Sequence, residues 1–172
     1  MITDHSLRID VSELVRHPGA SKRLDLQAHV LGLEVGLARV AGDGALRGSL
    51  LLESLVEGIL VTGDVAGVYA LECSRCLMEF DAAFTVSVNE VYAYPEQEEF
   101  EEGFVVESDS IDLEPAVRDE VLLAVPANPL HDPGCKGLCA TCGQDLNVAD
   151  CGHVHEAVDI RWEPLRELRD HL

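Results

Sequence analysis

The chain has 172 residues, enough for one domain or one domain with a small appendage and for a real core. Hydrophobic residues make up 47% and aromatics 5%, so that core is expected to be built of Leu, Val, Ala and Ile. Twelve basic residues against 32 acidic ones give a net charge of −20, a surface that repels nucleic acid unless its few cations cluster.

Met1-Ile2-Thr3-Asp4-His5 carries neither the basic head nor the apolar stretch of a secretory signal. No apolar run approaches the roughly 18 residues that a membrane span needs. A cytoplasmic location is expected. There thiols stay reduced, and clustered cysteines meet metal more often than they form disulfides.

In chain order, Leu7-Arg8-Ile9-Asp10-Val11 reads as a short strand. Ser12 is placed to cap a brief helix through Val15 that stops at His17-Pro18-Gly19. From about Arg47 to Tyr94 the pattern is strand-like, with strands expected at 49–57, 59–62, 65–73 and 80–93. Gly58, Gly63-Asp64 and Gly67 are the expected turn or bulge positions. Val86, Val88, Glu90 and Tyr92 alternate onto one face of the last strand. The result is an antiparallel meander with Cys73 and Cys76 at the turn before that strand.

Residues 90–120 hold twelve acids against Arg118 alone, most densely at Glu96, Glu98, Glu99, Glu101 and Glu102. A solvated acidic loop is the plain reading of this run, and a partner-docking element the sharper one, with Phe100 and Phe104 inside it. Asp112 is placed to cap a helix over 112–125 with Pro115 in its first turn. Leu113, Val117, Val121 and Ala124 form its apolar stripe, and Pro126 ends it. Beyond that the chain is rich in turns and cysteines, and a short helix over 163–171 closes it.

The cysteines carry the chemistry. Cys73-x-x-Cys76 and Cys139-x-x-Cys142, with Cys135, Cys151, His131 and His153 nearby, have the spacing of zinc knuckles. Gly143 supplies the permissive backbone that such a turn needs; the first pair lacks a glycine but joins two strands. A redox dithiol would open a helix after a buried strand in a βαβ unit, and neither pair does so.

Two partitions of ligands are open. Both knuckles can share one four-cysteine site, leaving Cys135 and Cys151 spare. Alternatively Cys73, Cys76, His131 and Cys135 form a first site, and Cys139, Cys142, Cys151 and His153 a second, which uses every cysteine. Either way one or two structural zinc ions are expected. Thiolate-rich sets close the coordination shell and leave a poor Lewis acid, whereas hydrolytic zinc keeps an open position. No Walker loop, Gly-x-Ser-x-Gly elbow, Rossmann fingerprint or complete deaminase pattern is present. No catalytic residue is assigned, and a non-enzymatic role is expected.

Three strings carry a family resemblance. They are Glu72-Cys73-Ser74-Arg75-Cys76-Leu77, then Asp112-Leu113-Glu114-Pro115 with Arg118-Asp119-Glu120, then the run from Cys135 through Cys139-Ala140-Thr141-Cys142-Gly143 to Asn147. In this order they resemble the YceD family of large ribosomal RNA subunit accumulation proteins, from about Val11-Ser12-Glu13-Leu14 to Asp159-Ile160-Arg161-Trp162. The Gly152-His153-Val154-His155 string and Trp162 are similar to the actinobacterial branch. The resemblance implies a role in the synthesis, processing or stability of large-subunit rRNA, with no described enzymatic activity. His131 and His153 stand where relatives can carry Cys, which favours the two-site partition.

The expected fold class is α+β: an antiparallel β-meander or partly open barrel packed by one main helix. A β-rich unit over 1–126 is followed by a zinc-knuckle segment and tail over 127–172. The expected partners are basic ribosomal proteins or large-subunit assembly factors, met through the acidic surface in ribosome biogenesis. Direct rRNA contact through Lys136, Arg161, Arg166 and Arg169 is the alternative that the charge disfavours, and a metal-dependent nuclease or hydrolase is weaker still. No membrane and no small-molecule substrate is expected.

Overall fold

The computed structural model describes residues 7–36, 38–95 and 103–153. In chain order the elements are β1 (Arg8–Asp10), β2 (Ser21–His29), β3 (Glu34–Val35), β4 (Ala38–Val40) and a single helical turn α1 (Ala41–Gly44). Then come β5 (Ala45–Ser54), β6 (Gly58–Glu72), β7 (Glu79–Ala93), β8 (Phe104–Val105), β9 (Ser110–Asp112) and α2 (Glu114–Leu123).

Among the described residues the fold is mostly antiparallel sheet with one main helix. Strands β6 and β7 pair along all fifteen residues, from Gly58↔Ala93 to Glu72↔Glu79. The other side of β6 is shared: β5 occupies its first half and β4 its second. Outside β5 lies β2, paired from Ser21↔Glu53 to His29↔Ala45. Strand β8 lies parallel to the end of β7, and β1 and β9 form a separate two-stranded ribbon. The sheets are open, with no pairing between β2 and β8 among the described residues.

The core follows from strand alternation. Leu26 and Ala28 from β2, Leu46, Leu50 and Leu52 from β5, Ile59, Val61, Val65, Tyr69 and Leu71 from β6, and Val86, Val88 and Tyr92 from β7 point inward and are buried. Ala116, Val117 and Val121 of α2 close over them. Two tyrosine hydroxyls hold the helix down. Tyr92 donates to the Asp112 carbonyl ahead of α2, and Tyr69 donates to the Val121 carbonyl in its last turn, one of the carbonyls a helix leaves unpaired.

Several expectations need correction. Residues 59–72 are one continuous strand, not two. Gly63 has φ +144° but keeps its place opposite Leu50 in an unshifted ladder, so it is neither turn nor bulge. A side chain there would meet the Ser49 carbonyl oxygen, so the glycine is needed for close approach of β5. Residues 12–16 form hydrogen-bonded turns in place of a helix, and Asp10 takes the Ser12 N–H. Helix α2 spans ten residues within the expected 112–125; Asp112 accepts the Glu114 N–H from one position before the N-cap, and Ala124 is exposed, with Ala116 in the stripe instead. Strand β2 was not expected at all. The helix over 163–171 lies outside the described residues.

Candidate metal centre

The loop 73–78 between β6 and β7 and the loop 139–144 make the same turn twice. In the first, the Cys73 N–H donates to the Met78 carbonyl at 2.9 Å and the Leu77 N–H to the Cys73 carbonyl at 2.8 Å. In the second, the Cys139 N–H donates to the Gln144 carbonyl and the Gly143 N–H to the Cys139 carbonyl, both at 2.8 Å. Each turn needs a left-handed residue right after its second cysteine, Leu77 at φ +61° and Gly143 at φ +75°. This winding turns backbone N–H groups toward the first sulfur; that of Thr141 lies 3.4 Å from Cys139 Sγ.

Beyond α2 the chain returns to the first turn. The Ser74 N–H donates to the Pro129 carbonyl, the Leu138 N–H to the Arg75 carbonyl, and the Arg75 guanidinium to the Cys135 carbonyl. Gly137 (φ +77°) makes this approach possible, because a Cβ there would stand 2.9 Å from the Arg75 carbonyl oxygen. These contacts gather Cys73, Cys76, His131 and Cys135, whose ligand atoms all lie within 4.8 Å of one another. Cys73 Sγ is 3.8 Å from Cys135 Sγ, and Cys76 Sγ is 3.4 Å from His131 Nδ1.

Cys139, Cys142, Cys151 and His153 gather in the same way, also within 4.8 Å. His153 Nδ1 is 3.3 Å from Cys151 Sγ and 3.7 Å from Cys139 Sγ. Cys73, Cys135 and Cys139 are buried, whereas Cys142 and His153 face solvent. The eight candidate ligands thus come together as two groups of four. Glu96, Glu98, Glu99, Glu101 and Glu102 lie outside the described residues, as do Arg161, Arg166 and Arg169.

Burial opposes ionisation of Cys73, but hydrogen bonds from His131 and from the Arg75 and Cys76 backbone prevail and bring its thiol down to about 5. At Cys76 the Met78 N–H favours the thiolate, yet burial and the neighbouring Cys73 and Cys135 sulfurs raise it to about 11. The second group repeats the split. Burial opposes ionisation of Cys139, but the Cys142 and Thr141 backbone N–H groups and the Cys151 and Cys142 side chains lower it to about 6. At Cys151 the His153 N–H works downward, and burial with the Cys139 and Cys142 sulfurs wins upward.

Each group offers three sulfurs and one imidazole nitrogen, a set that suits a borderline-soft cation of tetrahedral preference. Metal–sulfur bonds near 2.3 Å place tetrahedral ligand atoms about 3.8 Å apart, close to the spacings found here. Both groups are compatible with structural zinc. Sequence reasoning missed Asn147, whose amide lies 3.4 Å from Cys135 Sγ, and Asp145, which holds Asn147. Only their place in the cysteine-rich string hinted at them.

Residues 61–169 match the family model of the large ribosomal RNA subunit accumulation protein YceD. An uncharacterized protein of Mycobacterium tuberculosis is 40% identical over 94% of this chain and 81% of its own length. An uncharacterized protein of Bacillus subtilis, YlbN, is 29% identical over 60% of this chain and 62% of its own length. The chloroplastic YCED homolog 1 of Arabidopsis thaliana, named a large ribosomal RNA subunit accumulation protein, is 35% identical over 40% of this chain and 22% of its own length. No solved structure gives a significant match. With its family match running through both cysteine-bearing turns, and a relative alike over nearly its whole length, this chain belongs to the YceD family.

Proposed function

We propose that this protein is a non-enzymatic factor that supports accumulation of large-subunit rRNA, with two structural zinc ions bracing the surface it presents. The first is held by Cys73, Cys76, His131 and Cys135, and the second by Cys139, Cys142, Cys151 and His153. The observation that carries the reading is the pair of closed, thiolate-rich donor sets in a chain of this family. Four protein ligands leave no open position for a substrate or an activated water, so the metal acts as a cross-link. It ties the β6–β7 loop to the segment after α2.

The net charge of −20 makes a coat of RNA an unfavourable mode of action. The acidic surface engages basic ribosomal proteins or assembly factors instead. Along the sequence, the densest run of acids is Glu96, Glu98, Glu99, Glu101 and Glu102. Among the described residues, a cleft of about 390 Å³ at the outer end of β6 and β7 adds Glu34, Glu72, Glu79 and Asp81 against Arg39.

Association steered by such charge weakens steeply with salt. Affinity capture at low salt is expected to recover basic ribosomal or assembly proteins, and to lose them at high salt or when the five glutamates are replaced by glutamine. Capture unchanged by either would overturn the acidic-surface mechanism. Replacing Lys136 by alanine tests the competing reading: loss of a specific rRNA complex would favour direct RNA contact.

A further inference from the structure

The two cysteine groups share a stretch of chain. Cys135 of the first and Cys139 of the second stand four residues apart, and the stretch between them is held from both sides. The Leu138 N–H donates to the Arg75 carbonyl at 2.9 Å, on the side of the β6–β7 loop. On the other side, the Cys139 N–H reaches the Gln144 carbonyl, the Leu146 N–H reaches the Gly137 carbonyl, and Leu138 bridges Asp145.

Asn147 completes this arrangement. Its Oδ1 accepts the Lys136 N–H at 2.8 Å, and its Nδ2 donates to Asp145 Oδ1 at 2.8 Å and lies 3.4 Å from Cys135 Sγ. The Asp145 carboxylate also accepts the Asn147 N–H at 2.8 Å. Three polar partners converge on an amide whose residue is exposed, so packing is not the reason for its placement. Between Cys139 and Cys151 every residue is exposed or half-buried, leaving little apolar surface to hold this loop.

We infer that Asn147 couples the two metal sites: metal in the second fixes the loop that carries Asn147, and its amide then stabilises the Cys135 thiolate in the first. The inference rests on the zinc reading above and goes beyond it. A thiolate gains from an N–H donor in its anionic, metal-bound form, and removing a group hydrogen-bonded to a metal ligand commonly costs 10–100-fold in affinity. The loop itself depends on metal for order, because ligand-gathering segments without a core fold when the ion binds.

Cobalt titration of the metal-free full-length protein, read by thiolate-to-cobalt absorption and by competition with a chelator, tests the coupling. The wild-type chain is expected to bind two cobalt ions. Asn147→Ala should weaken the first site about tenfold or more, and the second by as much when the first is filled, because coupling is reciprocal. Cys142→Ala with Cys151→Ala, which removes the second site, should weaken the first by a similar factor. Adding Asn147→Ala to that pair should cost nothing further.

First-site affinity within about twofold of wild type in Asn147→Ala would overturn the coupling, and so would effects that add in the combined variant. If the paired cysteine variant fails to fold, the Asn147→Ala titration decides alone. A wild-type chain that takes up no cobalt would overturn the zinc reading and the coupling with it. Two cobalt ions bound independently would overturn the coupling only.

Discussion

The two cysteine-bearing turns share backbone hydrogen bonds and ligand spacing, yet they sit on different supports. The first caps two fifteen-residue strands whose inner faces are in the core, so its cysteines are placed by the sheet whatever occupies them. The second lies in a segment whose described residues, 125–153, form no α-helix and no β-strand longer than an isolated bridge, and two of its four candidate ligands face solvent. Under the proposed zinc reading, one turn is placed by the sheet and the other by the ion it would hold. The same local geometry would then depend on metal in two different ways.

Metal removal should expose this contrast most strongly. Chelation is expected to abolish amide protection over 138–151 while β6 and β7 keep theirs, measured by hydrogen exchange. Equal loss in both regions would erase the distinction. Loading should also release protons in both sites. At pH 7.5 Cys73, near 5, and Cys139, near 6, are thiolates, whereas Cys76, near 11, and Cys151, also raised, keep their protons until metal expels them. Zinc uptake followed calorimetrically in buffers of different ionisation enthalpy should show this release. Acidification through about 6 and then 5 protonates Cys139 and Cys73 and works against retention.

Smaller effects separate the turns by backbone alone. Gly137→Ala meets the Arg75 carbonyl as well as a left-handed φ, and should cost more than about 2 kcal/mol in denaturant unfolding of the loaded protein. Gly143→Ala has open space around it and should cost only the conformational penalty of about 1 kcal/mol. Leu77→Gly should have the opposite sign. It relieves a left-handed leucine that is largely exposed and should stabilise by up to about 1 kcal/mol. A large loss in Leu77→Gly would mean that the leucine is held for its contacts.

The long hairpin was legible because Val86, Val88 and Tyr92 alternate cleanly. Its partner was split at Gly63 because glycine is a common breaker, and nothing local shows that the Ser49 carbonyl passes over it. Strand β2 escaped because Arg23, Asp25 and Gln27 line its outer face, the charged Lys22 opens its inner one, and Leu24, Leu26 and Ala28 supply no β-branched residue. At the candidate metal centre, spacing conveyed the paired cysteines because knuckle geometry is local. Asn147 and Asp145 act across a turn made by the tertiary fold, and an asparagine in a loop carries no mark of that role. Leu77 in a left-handed conformation ran against its residue type and was invisible for that reason.

The most direct test of two metal-braced turns is the zinc content of the purified full-length chain, by native mass spectrometry, with Cys73→Ser and Cys139→Ser alongside. Two zinc ions in the wild type are predicted, with Cys139→Ser keeping the first in a more easily chelated form and Cys73→Ser keeping the second. One ion in the wild type, lost in both variants, would contradict this and point to a single site shared by the two turns.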